Sequence, residues 1–139
     1  MEITASAVQL VQANQDVIFT DTAVCGNNSI IHREGSGITT LRGLTNQCRA
    51  RFKVFFSGNI AIPTGGSVTP ISLAISVDGE VVGPTIMIQT PAAVGQFNNV
   101  ATATFLDVPC GCCSRIAVRN VSTQATNVQN ANLIVERVA

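Results

Sequence analysis

Short runs of β-branched and aromatic residues, interrupted by Gly, Pro, Asn or Asp, extend along the whole chain. No segment places apolar residues at helical spacing for more than about one turn. Val, Ile, Thr and Phe favour extended backbone, whereas the interrupting residues favour turns. Many short strands separated by turn signals are typical of a β-sandwich or a β-barrel. The sequence therefore predicts an all-β fold.

The turn signals divide the sequence into roughly ten predicted strands. Asp78-Gly79 is the residue pair that a tight type I′ hairpin prefers. The chain has 139 residues and no break in composition, which predicts a single domain over residues 1–139. The predicted strands are residues 7–11, 16–22, 30–33, 38–42, 49–60, 71–77, 81–90, 98–108, 115–121 and 130–138.

Two kinds of strand can be distinguished by side-chain alternation. Residues 71–77 carry large apolar side chains at one parity only, as expected with one face in a core and one in water. The segments around Phe55 and Phe105 and the run 132–138 are apolar at both parities. No helix is predicted to cover the second face, so we expect a second copy of the chain to cover it. The predicted contact residues are Phe55, Phe105, Leu133, Ile134 and Val135.

The composition supports self-association and argues against several partners. Hydrophobic residues make up 46% of the chain and charged residues 12%, so little charge is available to cover a monomer. The formal net charge is zero, which disfavours binding to nucleic acid. No apolar run is long enough to span a bilayer, and the first residues lack the features of a secretion signal. We expect synthesis in the cytoplasm and no insertion into a membrane.

Residues that could support catalysis are few. His32 is the single histidine, and the acidic residues are scattered without a motif that pairs them. No Gly-rich loop precedes a helix, so no phosphate-binding motif is present. The sequence predicts a protein that is not an enzyme, with no catalytic residue, no cofactor and no dedicated metal site.

Cysteines are the sharpest chemical feature of the sequence. Their odd number prevents complete pairing within one chain. Three chemistries remain open: disulfides, reduced thiols packed as small apolar groups, and zinc binding, for which Cys110 and Cys113 have a suitable interval. Because successive strands of an antiparallel sandwich alternate in direction, the loops that carry the cysteines are predicted to meet at one end. The residues of this predicted cluster are Cys25, Cys48, Cys110, Cys112 and Cys113.

Three segments resemble the tumour necrosis factor and complement globular-head superfamily. These are residues 51–54, the strand, turn and Val-Gly-Pro continuation at 73–84, and the final aliphatic run at 131–139 that ends in Glu-Arg-Val-Ala. The likeness is greatest to the bacterial domains that cap exosporium filaments. The resemblance implies a ten-stranded jelly-roll sandwich that forms a homotrimer through its inner sheet.

The chain departs from the exosporium pattern because it has no Gly-X-Y stalk and contains a Cys-Gly-Cys-Cys cluster at 110–113. In that cluster and in its ending it is similar to small prophage-encoded virion proteins. This second resemblance implies a trimeric virion component, a capsid decoration or head-fibre protein at the particle surface, with capsid or other virion proteins as partners. The alternatives are a receptor-binding or glycan-binding head and a spore-surface structural protein.

Overall fold

Two antiparallel β-sheets stacked face to face make up the computed structural model, which describes residues 1–111 and 113–139. Within these residues, a single turn of 3-10 helix, Gly83–Thr85, interrupts the β-structure. The strands are β1 (Glu2–Ala5), β2 (Gln9–Val11), β3 (Asp21–Val24), β4 (Ile30–His32), β5 (Thr39–Arg42), β6 (Arg49–Ala61), β7 (Ile71–Val77), β8 (Glu80–Val81), β9 (Met87–Gln89), β10 (Asn98–Pro109), β11 (Cys113–Asn120) and β12 (Thr126–Arg137).

The two sheets contain six strands each. Sheet I has the order β10-β6-β12-β1-β3, and β2 also pairs with β12. Sheet II has the order β4-β5-β11-β7-β8, and β9 also pairs with β7. Most neighbours are distant in sequence, as in a jelly roll, whereas β4-β5 and β7-β8 are pairs of consecutive strands. The predicted all-β sandwich is therefore confirmed, although trimerisation remains a proposal.

The core lies between the sheets and is built mainly from one parity of each strand, with a change of parity in β12 where the register shifts between Gln129 and Asn132. Phe52, Val54 and Phe56 of β6 are fully buried, and Phe56 meets Phe19 edge to face with ring centroids 6.4 Å apart. Leu133 and Val135 of β12 belong to the same core, with 1% and 0% of their surface exposed. These two residues were predicted to contact a second copy. That assignment is corrected, because both side chains point into the sandwich of their own chain.

Several predicted boundaries differ from the structure, and β12 begins at Thr126 rather than at residue 130. Three other differences have local reasons. Residues 2–5, predicted as a leading segment outside the strands, form β1 between β12 and β3. The predicted strand 81–90 is divided by the 3-10 turn that contains Pro84, since proline has no N–H to give to a sheet. The predicted strand 16–22 is mostly irregular, and β3 begins only at Asp21.

Residues 14–17, which precede β3, nevertheless add backbone hydrogen bonds to sheet II. The Val17 N–H donates to the Val118 carbonyl over 2.8 Å, and the Asn14 N–H donates to the Asn120 carbonyl over 2.9 Å. These bonds place Asp16 beside Arg119 of β11. The segment thus extends the sheet along the half of β11 that β5 leaves unpaired.

The hairpin predicted at Asp78-Gly79 joins β7 to β8. Both residues have positive φ, 51° and 88°, as a type I′ turn requires. Among the described residues, no helix is long and apolar enough to cross a lipid bilayer.

Candidate functional site

The outward face of sheet I carries a stripe of apolar side chains across its three longest strands. Phe55 of β6 lies opposite Ala103 of β10 on one side and opposite Ile134 of β12 on the other. Directly opposed residues have Cβ atoms about 4.5–5.5 Å apart, so these side chains adjoin. Phe105 continues the stripe along β10 and is 62% exposed, while Ile134 is 36% exposed. We call Phe55, Ala103, Phe105 and Ile134 the apolar stripe.

Charged side chains border the stripe at one end of sheet I. The Arg51 guanidinium donates twice to the Asp107 carboxylate, over 2.8 and 3.1 Å, and Arg49 lies 3.5 Å from the same carboxylate. The hydrogen bond from Arg51 lowers the pKa of Asp107 and raises the pKa of Arg51 itself. Lys53 stands between Phe105 and Glu136 in register. The apolar stripe therefore ends at charged, solvent-facing side chains on this side.

Polar amides border the stripe at the other end. The Asn99 amide donates to the Asn59 side chain over 3.2 Å, and the Asn132 amide donates to the Glu2 carboxylate over 2.9 Å. The Asn132 Oδ1 atom is buried and has no hydrogen-bond partner among the described residues. A buried acceptor without a donor costs free energy, so this atom is a destabilising feature of the isolated chain.

Three of the five predicted contact residues lie on this face. Phe55, Phe105 and Ile134 project outward, on the side of sheet I that faces away from the core. Leu133 and Val135 point the opposite way. Sequence parity identified the strands as two-faced but did not show which parity is covered within the chain.

The loops that carry the cysteines meet at one end of the sandwich, which we call the cysteine end. The Cys110 N–H donates to the Cys48 carbonyl over 3.0 Å, and the Cys110 thiol donates to the Thr45 carbonyl over 2.8 Å. Cys25 and Arg137 line one cavity of about 440 Å³, and Arg137 reaches the Leu44 carbonyl over 2.9 Å.

The chemistry of the cysteine end remains a prediction. Cys25, Cys48, Cys110 and Cys113 are exposed and unpaired, and Cys112 lies outside the described residues. In the part of the chain that the structure describes, no three metal-binding side chains are grouped. Reduced thiols and disulfides are both compatible with this arrangement.

A second depression, the polar groove, lies on the outward face of sheet II. It encloses about 370 Å³ and is lined by Asp16, Asp78, Arg115 and Arg119, together with Ser76. Asp16 Oδ1 and Arg119 Nε are 3.7 Å apart, and neither atom has a hydrogen-bond partner among the described residues. Burial raises the pKa of Asp16 more than Arg119 lowers it.

Sequence reasoning missed the polar groove because its residues come from three distant segments. Only the tertiary pairing of residues 14–17 with β11 brings Asp16 beside Arg119. His32, by contrast, has a local structural environment. Its Nε2 atom lies 2.8 Å from the Ser36 carbonyl, and its ring packs edge-on against Phe19.

Comparisons with known proteins bear on the fold. No protein-family model matches the sequence, and no curated protein matches it. The globular domain of zebrafish complement 1qA superimposes with a TM-score of 0.64 at 12% identity, covering 96% of this chain and 93% of that domain.

Two carbohydrate-binding modules are more distant in structure, each with a TM-score of 0.36. One is a family 35 module from Clostridium thermocellum, at 14% identity, with 93% of this chain and 98% of the module covered. The other is the xylan-binding CBM22-1 domain of Paenibacillus barcinonensis Xyn10C, at 10% identity, with 99% and 87% covered. At these scores the two modules carry no functional argument, whereas the complement domain shows that the chain has a jelly-roll fold of the complement globular-head type.

Proposed function

We propose that this chain is a non-enzymatic structural domain that assembles as a homotrimer through the outward face of sheet I. The observation that carries the proposal is the apolar stripe, in which Phe105 exposes 62% of its surface beside Phe55 and Ile134. Contiguous exposed apolar surface with a polar border is the usual mark of a protein contact.

The position of the stripe in the sheet favours a closed ring. β10 is the edge strand of sheet I, so Phe105 stands near the margin of the sheet, where a neighbouring subunit can reach it. A cyclic arrangement covers this margin in every subunit.

Sedimentation equilibrium tests the assembly directly. At micromolar concentration the expected mass is three times the 14.5 kDa of one chain, with no dependence on the reducing agent. A monomer at that concentration would refute the proposal. A stable dimer would also refute it.

For the biological setting, we propose a bacteriophage particle, as a capsid decoration or head-fibre protein. The support is the sequence resemblance in the Cys-Gly-Cys-Cys cluster and the chain ending. Quantitative mass spectrometry of purified particles should find the protein in copy numbers divisible by three. Its absence from particles, or its presence in spore coats instead, would contradict this setting.

A second candidate function is that of a ligand-binding head, and the polar groove favours it. Asp16 and Arg119 line the groove and stay partly exposed, with 30% and 27% of their side-chain surface accessible. The groove has two acids, two arginines and no aromatic lining residue, which suits a neutral polyhydroxylated ligand bound by hydrogen bonds. Screening against a glycan array with wild type and Asp16→Asn would test it. Binding that is equal in both proteins would exclude the groove.

A further inference from the structure

Cys48 and Cys110 occupy directly opposed positions at the end of the longest ladder in the protein. The register of β6 with β10 runs without a break to Val108 opposite Ala50 and Pro109 opposite Arg49. The next pair in this register is Cys110 opposite Cys48. The 3.0 Å hydrogen bond from the Cys110 N–H to the Cys48 carbonyl shows that the ladder continues through this pair.

The geometry of such a pair suits a disulfide. Residues that are directly opposed in a hydrogen-bonded antiparallel pair have Cα atoms about 5.5 Å apart. Disulfides span Cα separations of about 4.4–6.8 Å. Cys48 and Cys110 also share the parity of Ala50 and Val108, so their side chains leave the ladder on the same side. Both side chains are exposed, which gives an external reagent access to them.

The surrounding loop keeps the two positions together. The Gly111 N–H donates to the Gly43 carbonyl over 3.2 Å, and the Cys110 thiol donates to the Thr45 carbonyl over 2.8 Å. Gly43 packs so closely on Pro109 that a Cβ atom there would collide with the Pro109 carbonyl. The segment before Cys48 is thus fixed to the turn that carries Cys110.

The other described cysteines are poorly placed for either partner. Cys25 follows β3, which lies three strands from β6 in sheet I, or about 14 Å at about 4.8 Å per strand. Cys113 begins β11 in sheet II, at the outward parity of Arg115. Among the cysteines that the structure describes, the fold therefore favours the pair Cys48 and Cys110.

We propose that Cys48 and Cys110 form a disulfide site that closes by exchange with a small disulfide such as oxidised glutathione. The thiolate of one cysteine attacks the small disulfide, forming a mixed disulfide and releasing one thiol. The second cysteine attacks the mixed disulfide at the protein sulfur and releases the second thiol. The two protein thiols are oxidised, the small disulfide is reduced, and the two protons pass to the released thiols.

The test is disulfide mapping of the folded protein after incubation with oxidised glutathione. Free thiols are alkylated before denaturation and again in denaturant, and the protein is digested with trypsin without reduction. Cys48 is then released in the peptide 43–49, and Cys110 lies in the peptide 54–115 together with Cys112 and Cys113. The expected product is a covalent link between these two peptides within one chain.

Variants identify the partner within the longer peptide. The link should persist in the Cys112→Ser/Cys113→Ser double variant and disappear in Cys110→Ser and in Cys48→Ser. Peptide 43–49 recovered fully alkylated from the oxidised wild type would overturn the proposal. A link that survives Cys110→Ser, or one that joins two chains, would also overturn it.

Thermal unfolding provides an independent readout at a fixed protein concentration. The link closes a long loop, so oxidation should raise Tm by about 10 °C in wild type. Cys25→Ser is the matched control and should show the same rise. The rise should be absent in Cys48→Ser, and a rise that remains there would contradict the assignment.

Discussion

Replacing Phe105 with alanine removes the most exposed large side chain of the apolar stripe without touching the core. With 62% of Phe105 exposed, about 125 Å² of a total of about 200 Å² is available for burial. After allowing for the Cβ that alanine keeps and for partial coverage, about 80 Å² is lost in each subunit. At about 25 cal/mol per Å², this loss is worth about 2 kcal/mol per subunit.

In a trimer, the losses of contact free energy in the three subunits add up in a single assembly equilibrium. About 6 kcal/mol is removed from the assembly of three chains, so the concentration at half-assembly rises roughly a hundredfold. Sedimentation equilibrium over a concentration series measures this shift, and far-UV circular dichroism checks that the fold is kept. Ile88→Ala is the matched control, because Ile88 of β9 is 64% exposed but lies in sheet II.

Two results would refute the reasoning. If Phe105→Ala assembled at the same concentration as wild type, the stripe would not be the contact surface. If Ile88→Ala weakened assembly as much, general surface hydrophobicity would explain the effect and sheet I would have no special role.

Charge and polar networks give three further predictions, each measured by chemical denaturation. The hydrogen bond from Arg51 lowers the pKa of Asp107, so the folded chain binds a proton at Asp107 less tightly than the unfolded chain does. The stability that wild type has over Asp107→Asn should therefore be present above pH 4 and fall as the pH drops through the lowered pKa. The pKa of Asp16 is raised by burial, so the sign reverses: relative to Asp16→Asn, wild type should become less stable as the pH rises above about 4. Asn120 is fully buried, and its amide donates to the Val11 and Gln124 carbonyls over 2.9 and 3.0 Å, so Asn120→Ala should lower the free energy of unfolding by about 2–4 kcal/mol. A loss below about 0.5 kcal/mol, the size of a typical surface substitution, would contradict that network.

The sequence predicted two of the three longest strands closely, but it missed the first four residues of β12. β6 and β10 carry many consecutive strand-forming residues, and their predicted bounds, 49–60 and 98–108, differ from the structure by one residue each. β1 was missed because four residues, Glu2–Ala5, carry too little pattern alone. Its strand character comes from pairing with β12 on one side and β3 on the other.

The candidate sites also differ in how well the sequence predicted them. Phe105 and Ile134 were identified because strands that are apolar at both parities are visible in the sequence. The polar groove was not, because Asp16 and Arg119 meet only after residues 14–17 pair with β11. A local pattern can predict which strand has two apolar faces, whereas a site built from distant segments depends on topology.

In strands with apolar side chains on both faces, apolar alternation alone fixes the pairing register less firmly. In most strands the alternation itself fixes which face is buried, because a slip by one residue would expose the core. In β6, β10 and β12 that penalty is weaker, since Phe55, Phe105 and Ile134 could replace core residues. What resists the slip is charge at the outward parity: Arg51 on β6, Asp107 on β10 and Glu136 on β12.

A slip by one residue would carry each of these charges into the core, at a cost of several kcal/mol per ion. The charged border therefore fixes the register and leaves the apolar stripe free to serve as a contact surface. It follows that the two regions should respond differently to substitution. Phe105→Ala should change assembly and leave the monomer fold intact, whereas charge removal at Asp107 should act on the stability of the chain itself.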